Sequence, residues 1–329
     1  MAELRYNPLL QDWTMVAASR QNRPHLPKDN CPFCPGSGKV PDDYEVYLYH
    51  NDFPVLSPNP PEPDDVAGSL YKTRKAIGRC EVVLYSPDHY ATLPDLSREH
   101  MRKIVDLWCD TYQELDKNPD HQYVMIFENR GEEVGVTMPH PHGQIYAYPF
   151  IPLKVQTELD ACHTYFQENS RNLFDDIIEE EKRFGGRVIY ENNGFIAFIP
   201  FFTDYPYGVF IVAKERQTAL TDFNHLEKED LGDIIQSVVG GMDLIYHRLF
   251  PYMMVMHGRP SNDAQVNDYY RFHIEFYPPL RAADKLKYNA SSETGGWAAA
   301  NPMKVEETAK VLKEKIHQFR KERKNGEGS

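Results

Sequence analysis

HPHGQIYAYPF (residues 140–150) and RFHIEFYPP (residues 271–279) share one pattern: a histidine, a second histidine or a glutamate two positions on, then an aromatic run ending at proline. Alternation of aromatic and β-branched residues predicts a strand in each. Working outward, each stretch closes a longer series. The first copy runs EVVLYSPDHYATLPDLSREHMRKIVDLW (81–108), then YVMIFENRG (123–131), then 140–150. The second runs GVFIVAKERQTALTDFNHLEKEDLGDIIQSVV (208–239), then YMMVMHGRP (252–260), then 271–279. Each copy reads as strand, turn, amphipathic helix, strand and strand, an internal repeat. After Ser97, Met101, Ile104, Val105, Trp108 and Tyr112 line one helical face. After Asn224, with Glu227 as its capping-box partner, Leu231, Ile234, Ile235, Val238 and Met242 do the same. Helices packed on a sheet built from such units predict an α+β fold. A further amphipathic helix is predicted from Val305, Ala309, Val311, Leu312, Ile316 and Phe319, with KNGEGS (324–329) as a disordered tail.

Composition narrows the function. The 329 residues carry a formal net charge of −13, so neither nucleic acid nor an anionic membrane surface is an expected partner. A small phosphorylated ligand needs only local basic groups and stays open. No apolar run reaches membrane-spanning length, and MAELRYNPLL lacks the pattern of a secretory signal. The odd cysteine count of 5 points to reduced thiols in a cytoplasmic protein.

In CPFCPG, Cys31 and Cys34 have the spacing that lets two thiolates reach one tetrahedral metal. Two buried free thiols are the competing reading. A further ligand pair would come from among His25, His50, His89, His100, His121, His140 and His142, and spacing does not choose between them. If PHPHGQ is extended, His140, His142 and Gln144 share one face, with Pro139, Pro141 and Gly143 between them. The prolines stiffen the backbone that aims the imidazoles, and Gly143 admits a ligand close to the main chain. A neutral imidazole is a competent nucleophile towards phosphorus, and Gln144 can donate to a phosphoryl oxygen. Arg20 and Arg23, just before the knuckle, offer the planar fork that suits phosphate. Glu158, His257, His273 and Glu275 form a second set of imidazoles and carboxylates suited to a divalent metal, with ordinary polar pairing as the alternative.

These residues carry a resemblance. HPHGQ preceded by FENRG (127–131), together with RYNPL and DW (5–9, 12–13), SRxxRP, CPFC, NDFP (51–54), SPDH (86–89) and HxEFYPPL (273–280), closely resembles the galactose-1-phosphate uridylyltransferases. These are a branch of the histidine-triad superfamily, and the likeness spans most of the chain. It implies two histidine-triad-like halves, each an antiparallel sheet with packed helices, at residues 1–152 and 153–323. It implies transfer of UMP from UDP-glucose to galactose 1-phosphate by a ping-pong mechanism. His142 would be the nucleophile that carries the uridylyl group, and Gln144 would bind its phosphate. His140 and His89 would join Cys31 and Cys34 around a structural Zn2+. Arg20 and Arg23 match phosphate-side arginines; Asn51, Asp52, Asn129, Gly135 and Thr137 fall in the nucleotide pocket; and Lys287, Tyr288 and Glu293 fall where the hexose binds. A homodimer with shared active sites is implied.

Two departures stand out. The family's second metal site, for Fe2+ or Zn2+, has Glu and three His, whereas Glu275 stands here in the last place. Ser292 stands where an aromatic is common in the hexose segment. The second departure keeps one rival in view, a nucleotide-sugar phosphorylase that uses orthophosphate as acceptor.

Overall fold

The computed structural model describes residues 2–18, 21 and 31–327. In chain order the strands are β1 (Ala2–Asn7), β2 (Asp12–Ala17), β3 (Tyr47–His50), β4 (Thr73–Lys75), β5 (Arg79–Leu84), β6 (Tyr123–Arg130), β7 (His142–Tyr148), β8 (Val188–Glu191), β9 (Phe195–Phe198), β10 (Val209–Ala213), β11 (Tyr252–His257), β12 (His273–Tyr277), and β13 (Leu280–Ala282) with β14 (Lys285–Leu286), a small pair of their own. The helices are α1 (Arg98–Asp116), α2 (Leu153–Asn169), α3 (Leu173–Phe184), α4 (His225–Tyr246), the short α5 (Ser291–Gly296) and α6 (Val305–Glu327).

Nine strands form one sheet in the order β3-β5-β7-β6-β11-β12-β10-β9-β8. Every neighbouring pair in it is antiparallel. The repeat is visible in that order. The first copy supplies β5-β7-β6 with α1, and the second supplies β10-β12-β11 with α4, so the halves meet back to back at β6 and β11. The register there pairs Arg130 with Tyr252 and Ile126 with Met256. The expected α+β architecture is present, with both halves fused into one continuous sheet.

The helices begin where their caps predict. The Ser97 hydroxyl accepts from the His100 N–H at 3.1 Å. The Asn224 side chain accepts from the N–H groups of Leu226 and Glu227, and Glu227 accepts from the Asn224 N–H at 2.8 Å. Their apolar faces join α6 in a core on one side of the sheet that includes Trp108, Ile235, Leu312 and Ile316. The opposite side is covered by α2, α3 and β1, the last belonging to a separate three-stranded sheet with β2 and β4. A third cluster, Phe33, Val40, Tyr44, Val82 and Leu84, packs the cysteine knuckle against β5.

Two expectations for the C-terminus change. Val311 is 37% exposed because it lies off the stripe of Ala309, Leu312 and Ile316, each buried against the sheet helices. The helix also continues past Lys324 to Glu327, so the segment set apart as a tail from 324 begins inside α6. The preceding Lys, Glu and Arg residues are good helix formers and carry the turn onward.

Candidate active site

β7 opens at His142, not at His140. The residues before it, Pro139 and Pro141, have no N–H to give a ladder. His140 lies just before the strand, and its ring, like that of His142, sits 5.9 Å from Phe33 of the knuckle. There Cys34 Sγ lies 3.4 Å from His89 Nδ1 and 3.7 Å from His140 Nδ1. Cys31, Cys34, His89 and His140 each bring one ligand atom within 4.8 Å of the others.

The surroundings prepare that set for a cation. His140 Nε2–H donates to the Ser86 carbonyl at 2.8 Å, which turns the Nδ1 lone pair towards the sulfurs. The Tyr44 hydroxyl, 2.9 Å from the same Nε2, also donates to the Phe33 carbonyl at 2.7 Å, tying the histidine to the knuckle backbone. Burial lowers His140 to about 4, so its imidazole is neutral, as a ligand must be. Burial pushes the Cys31 thiol up to about 11, a cost that a bound divalent cation reverses by stabilising the thiolate. Of the other candidate histidines, His50 engages Glu81, His100 the Tyr85 carbonyl and His121 the Leu115 carbonyl. His25 lies outside the described residues.

His142 borders a cavity of about 790 Å³ whose walls also include His89, Asn129, Thr137, His140 and Arg248. Its Nδ1–H donates to the His140 carbonyl at 2.7 Å. That bond fixes the ring and leaves the lone pair on Nε2. Gln144 pairs across the sheet with Phe127 of β6. The Tyr146 hydroxyl donates to Gln144 Oε1 at 3.2 Å, which orients the amide with its NH2 as the outward donor.

The remaining predicted residues are spread more widely. Asn51 and Asp52 follow β3, two strands from β7 in the sheet; Asp52 accepts from the Tyr49 hydroxyl at 2.8 Å and from Lys39 at 3.3 Å. Gly135 closes the turn after β6 with φ 82°, where a side chain would be strained. Lys287 sits over the Tyr205 ring, Tyr288 is exposed, and Glu293 caps α5 by accepting from the Ala290 N–H. None of these three borders the His142 cavity. Arg20 and Arg23 lie outside the described residues.

Glu158, His257, His273 and Glu275 form the second cluster, again with ligand atoms within 4.8 Å. Glu158 comes from α2, His257 ends β11, and His273 and Glu275 alternate on β12. His257 Nδ1 lies 2.9 Å from Glu158, and His273 Nε2 lies 3.5 Å from Glu275. The His273 Nδ1–H donates to the Arg271 carbonyl at 3.0 Å, which turns Nε2 inward. Burial opposes charge on His257, but Glu275 and Glu158 hold it above the usual imidazole value.

Sequence reading missed several groups here. Lys154 binds Glu275 and lies 2.5 Å from the Tyr277 hydroxyl and 3.7 Å from Glu158. Its i,i+4 spacing to Glu158 was the available signal. Arg130 makes two 2.8 Å bonds to Asp243 of α4, and Arg248 pairs with Glu133 beside the cavity. Nothing local announces either pair.

Residues 1–152 match the galactose-1-phosphate uridyl transferase N-terminal domain, and residues 158–321 match its C-terminal domain. The chain is 38% identical over 315 residues to the galactose-1-phosphate uridylyltransferase of Thermotoga maritima, covering 95% of this chain and 98% of that one. A solved uridylyltransferase structure superposes with a TM-score of 0.88 at 31% identity, covering 96% of this chain and 99% of the other. The fold is also shared with an ADP-glucose phosphorylase from Arabidopsis thaliana solved with bound ADP-glucose, at a TM-score of 0.73 and 23% identity over 95% of this chain and 99% of that one. By matches that run through both halves, the chain belongs to the galactose-1-phosphate uridyl transferase family.

Proposed function

We propose that this chain is a UDP-glucose–hexose-1-phosphate uridylyltransferase that moves UMP from UDP-glucose to galactose 1-phosphate. The observation that carries the reading is identity of 38% along nearly the whole length of a relative named galactose-1-phosphate uridylyltransferase. The geometry supplies a matching mechanism. Nε2 of His142 attacks the α-phosphorus, an N–P bond forms, and the bond from phosphorus to glucose 1-phosphate breaks. A phosphate oxygen of galactose 1-phosphate then attacks the same phosphorus and the imidazole leaves. The Nδ1–H bond to the His140 carbonyl stabilises the positive charge that the ring gains in the first step. The Gln144 amide donates to a phosphoryl oxygen, and Asn129 and Thr137 line the approach. Two steps through one covalent intermediate give ping-pong kinetics.

Zn2+ at Cys31, Cys34, His89 and His140 would be structural, because all four positions are filled by protein. It would brace the backbone immediately before His142. Asn51, Asp52 and Gly135 serve the nucleotide in this reading, and Arg20 and Arg23 the phosphates. Lys287, Tyr288 and Glu293 serve the hexose from the second subunit of a homodimer. Among the described residues no helix is long and apolar enough to cross a membrane, which accords with a cytoplasmic enzyme.

The test is direct. Protein mixed with UDP-glucose alone should gain the mass of one UMP, stable under an alkaline quench. Galactose 1-phosphate should then remove it as UDP-galactose. An adduct formed from ADP-glucose and cleared by orthophosphate would favour the phosphorylase instead.

The second cluster fits Fe2+ or Zn2+ through two imidazoles and two carboxylates. Lys154 supplies a competing positive charge at Glu275. Lys154→Met should therefore raise the metal retained there after dialysis by roughly 10-fold in affinity, about 1.4 kcal/mol. Metal analysis that shows no gain over wild type would remove Lys154 as a competitor.

A further inference from the structure

The strand that carries His142 is gripped from behind. The Tyr85 N–H donates to the Pro141 carbonyl at 3.0 Å, on one side of His142. On the other side, the Tyr85 hydroxyl occupies the place where a Cβ on Gly143 would stand. One tyrosine thus touches both neighbours of the nucleophile. Its ring packs edge-on against Trp108 of α1, with centroids 5.7 Å apart. Its carbonyl takes a 2.6 Å bond from His100 Nε2.

The polar chemistry at this point is unusual for a core. Tyr85, Glu128 and Trp108 are all buried on the helix side of the sheet. The Tyr85 hydroxyl, the Trp108 N–H and one Glu128 oxygen make no hydrogen bond of ordinary geometry. The other Glu128 oxygen accepts from the Tyr252 hydroxyl at 2.9 Å. Burial and then the adjoining Glu128 carboxylate push the Tyr85 phenol well up, and burial raises Glu128 to about 7. An all-apolar packing would cost less, since buried polar groups without good partners are destabilising. Glu128 follows Phe127, the cross-strand partner of Gln144, so it sits on β6 beside Gly143 and on the opposite face from Asn129.

We propose that Tyr85 and Glu128 are positioning residues for uridyl transfer: the Tyr85 hydroxyl seats against Gly143, Glu128 stands beside it on β6, and together they fix the height of His142 Nε2 in the cavity. This rests on the reading of His142 as nucleophile. Both residues also border the cavity that His142 lines, but the contact argued here reaches the nucleophile through Gly143. Gly143 has its role from the same contact: a larger residue there would push against Tyr85 and tilt the strand. Small displacements of a nucleophile are costly, because in-line attack tolerates little misalignment.

The experiment is single-turnover attachment of UMP from UDP-glucose, followed by quench and intact mass across substrate concentrations, with zinc content and thermal midpoint measured on each protein. Tyr85→Phe should slow attachment roughly 10- to 100-fold, with the half-saturating UDP-glucose concentration and zinc content unchanged. Glu128→Gln, which keeps an acceptor for the Tyr252 hydroxyl, should retain more rate than Glu128→Leu. Gly143→Ala combined with Tyr85→Ala should lose less than the product of the two single losses, because the clash is then gone. Tyr85→Phe attaching UMP at the wild-type rate would overturn the inference, as would losses that simply multiply. If wild type itself gains no UMP, the transferase reading falls and takes this inference with it.

Discussion

His142→Ala is expected to abolish turnover, lowering kcat by on the order of 10⁶-fold, the scale seen when an enzyme loses its covalent nucleophile. No UMP should appear on the protein from UDP-glucose. The protein itself should stay whole. His142 is only partly buried; its Nδ1–H donates to the His140 carbonyl at 2.7 Å, and its ring lies 5.9 Å from that of Phe33. Losing such a bond costs about 1 kcal/mol. The four knuckle ligands are untouched by the change, so zinc content should match wild type. The pairing of these results matters: an inactive variant with normal metal and normal melting isolates the imidazole as a chemical participant. Ordinary transfer by the variant would remove His142 from the mechanism, and Nε2 would need another role.

The second large effect is on stability. Cys31→Ser should abolish retention of the zinc proposed at the knuckle and destabilise the chain by several kcal/mol, about 10 °C in Tm at roughly 2–4 °C per kcal/mol. A hydroxyl is a poor substitute for a thiolate ligand. The four donors come from three segments: the knuckle at Cys31 and Cys34, and two that already adjoin through backbone contacts, the turn after β5 at His89 and the approach to β7 at His140. The small cluster around Phe33, Val40 and Tyr44 offers limited apolar area to hold them without the ion. Activity should fall too, because His140 supplies the carbonyl that fixes His142. Cys109→Ser is the control. Cys109 is buried in α1 outside the cluster, so its loss should lower Tm while metal content holds. Equal metal in both variants and wild type would contradict a structural zinc at the knuckle.

Much of the molecule was readable before any coordinates. Both capped helices begin at the predicted residues, because a cap is a bond between groups two or three positions apart. The repeat gave two equivalent halves, because each copy carries its own strand and helix periods. The face shared by His142 and Gln144 also followed from period two, although the regular strand starts only at His142, because Pro139 and Pro141 have no N–H to donate to a ladder.

What the sequence by itself determined was therefore local: which residues turn inward on each element, where helices start, and which short segments hold chemistry. Residue spacing left open which histidines complete the knuckle; the family resemblance named His89 and His140, and tertiary structure is what brings Cys34 to them across separations of 55 and 106 residues. It also joined β6 to β11 in one sheet, set Lys154 beside Glu275, and brought Tyr85 under Gly143. Periodicity fixes the face on which a side chain lies, because the backbone repeats every two or 3.6 residues. It carries no information about which distant face will be opposite. That is set when whole elements compete to bury their apolar surfaces, and the polar contacts that do the chemistry are placed as a consequence.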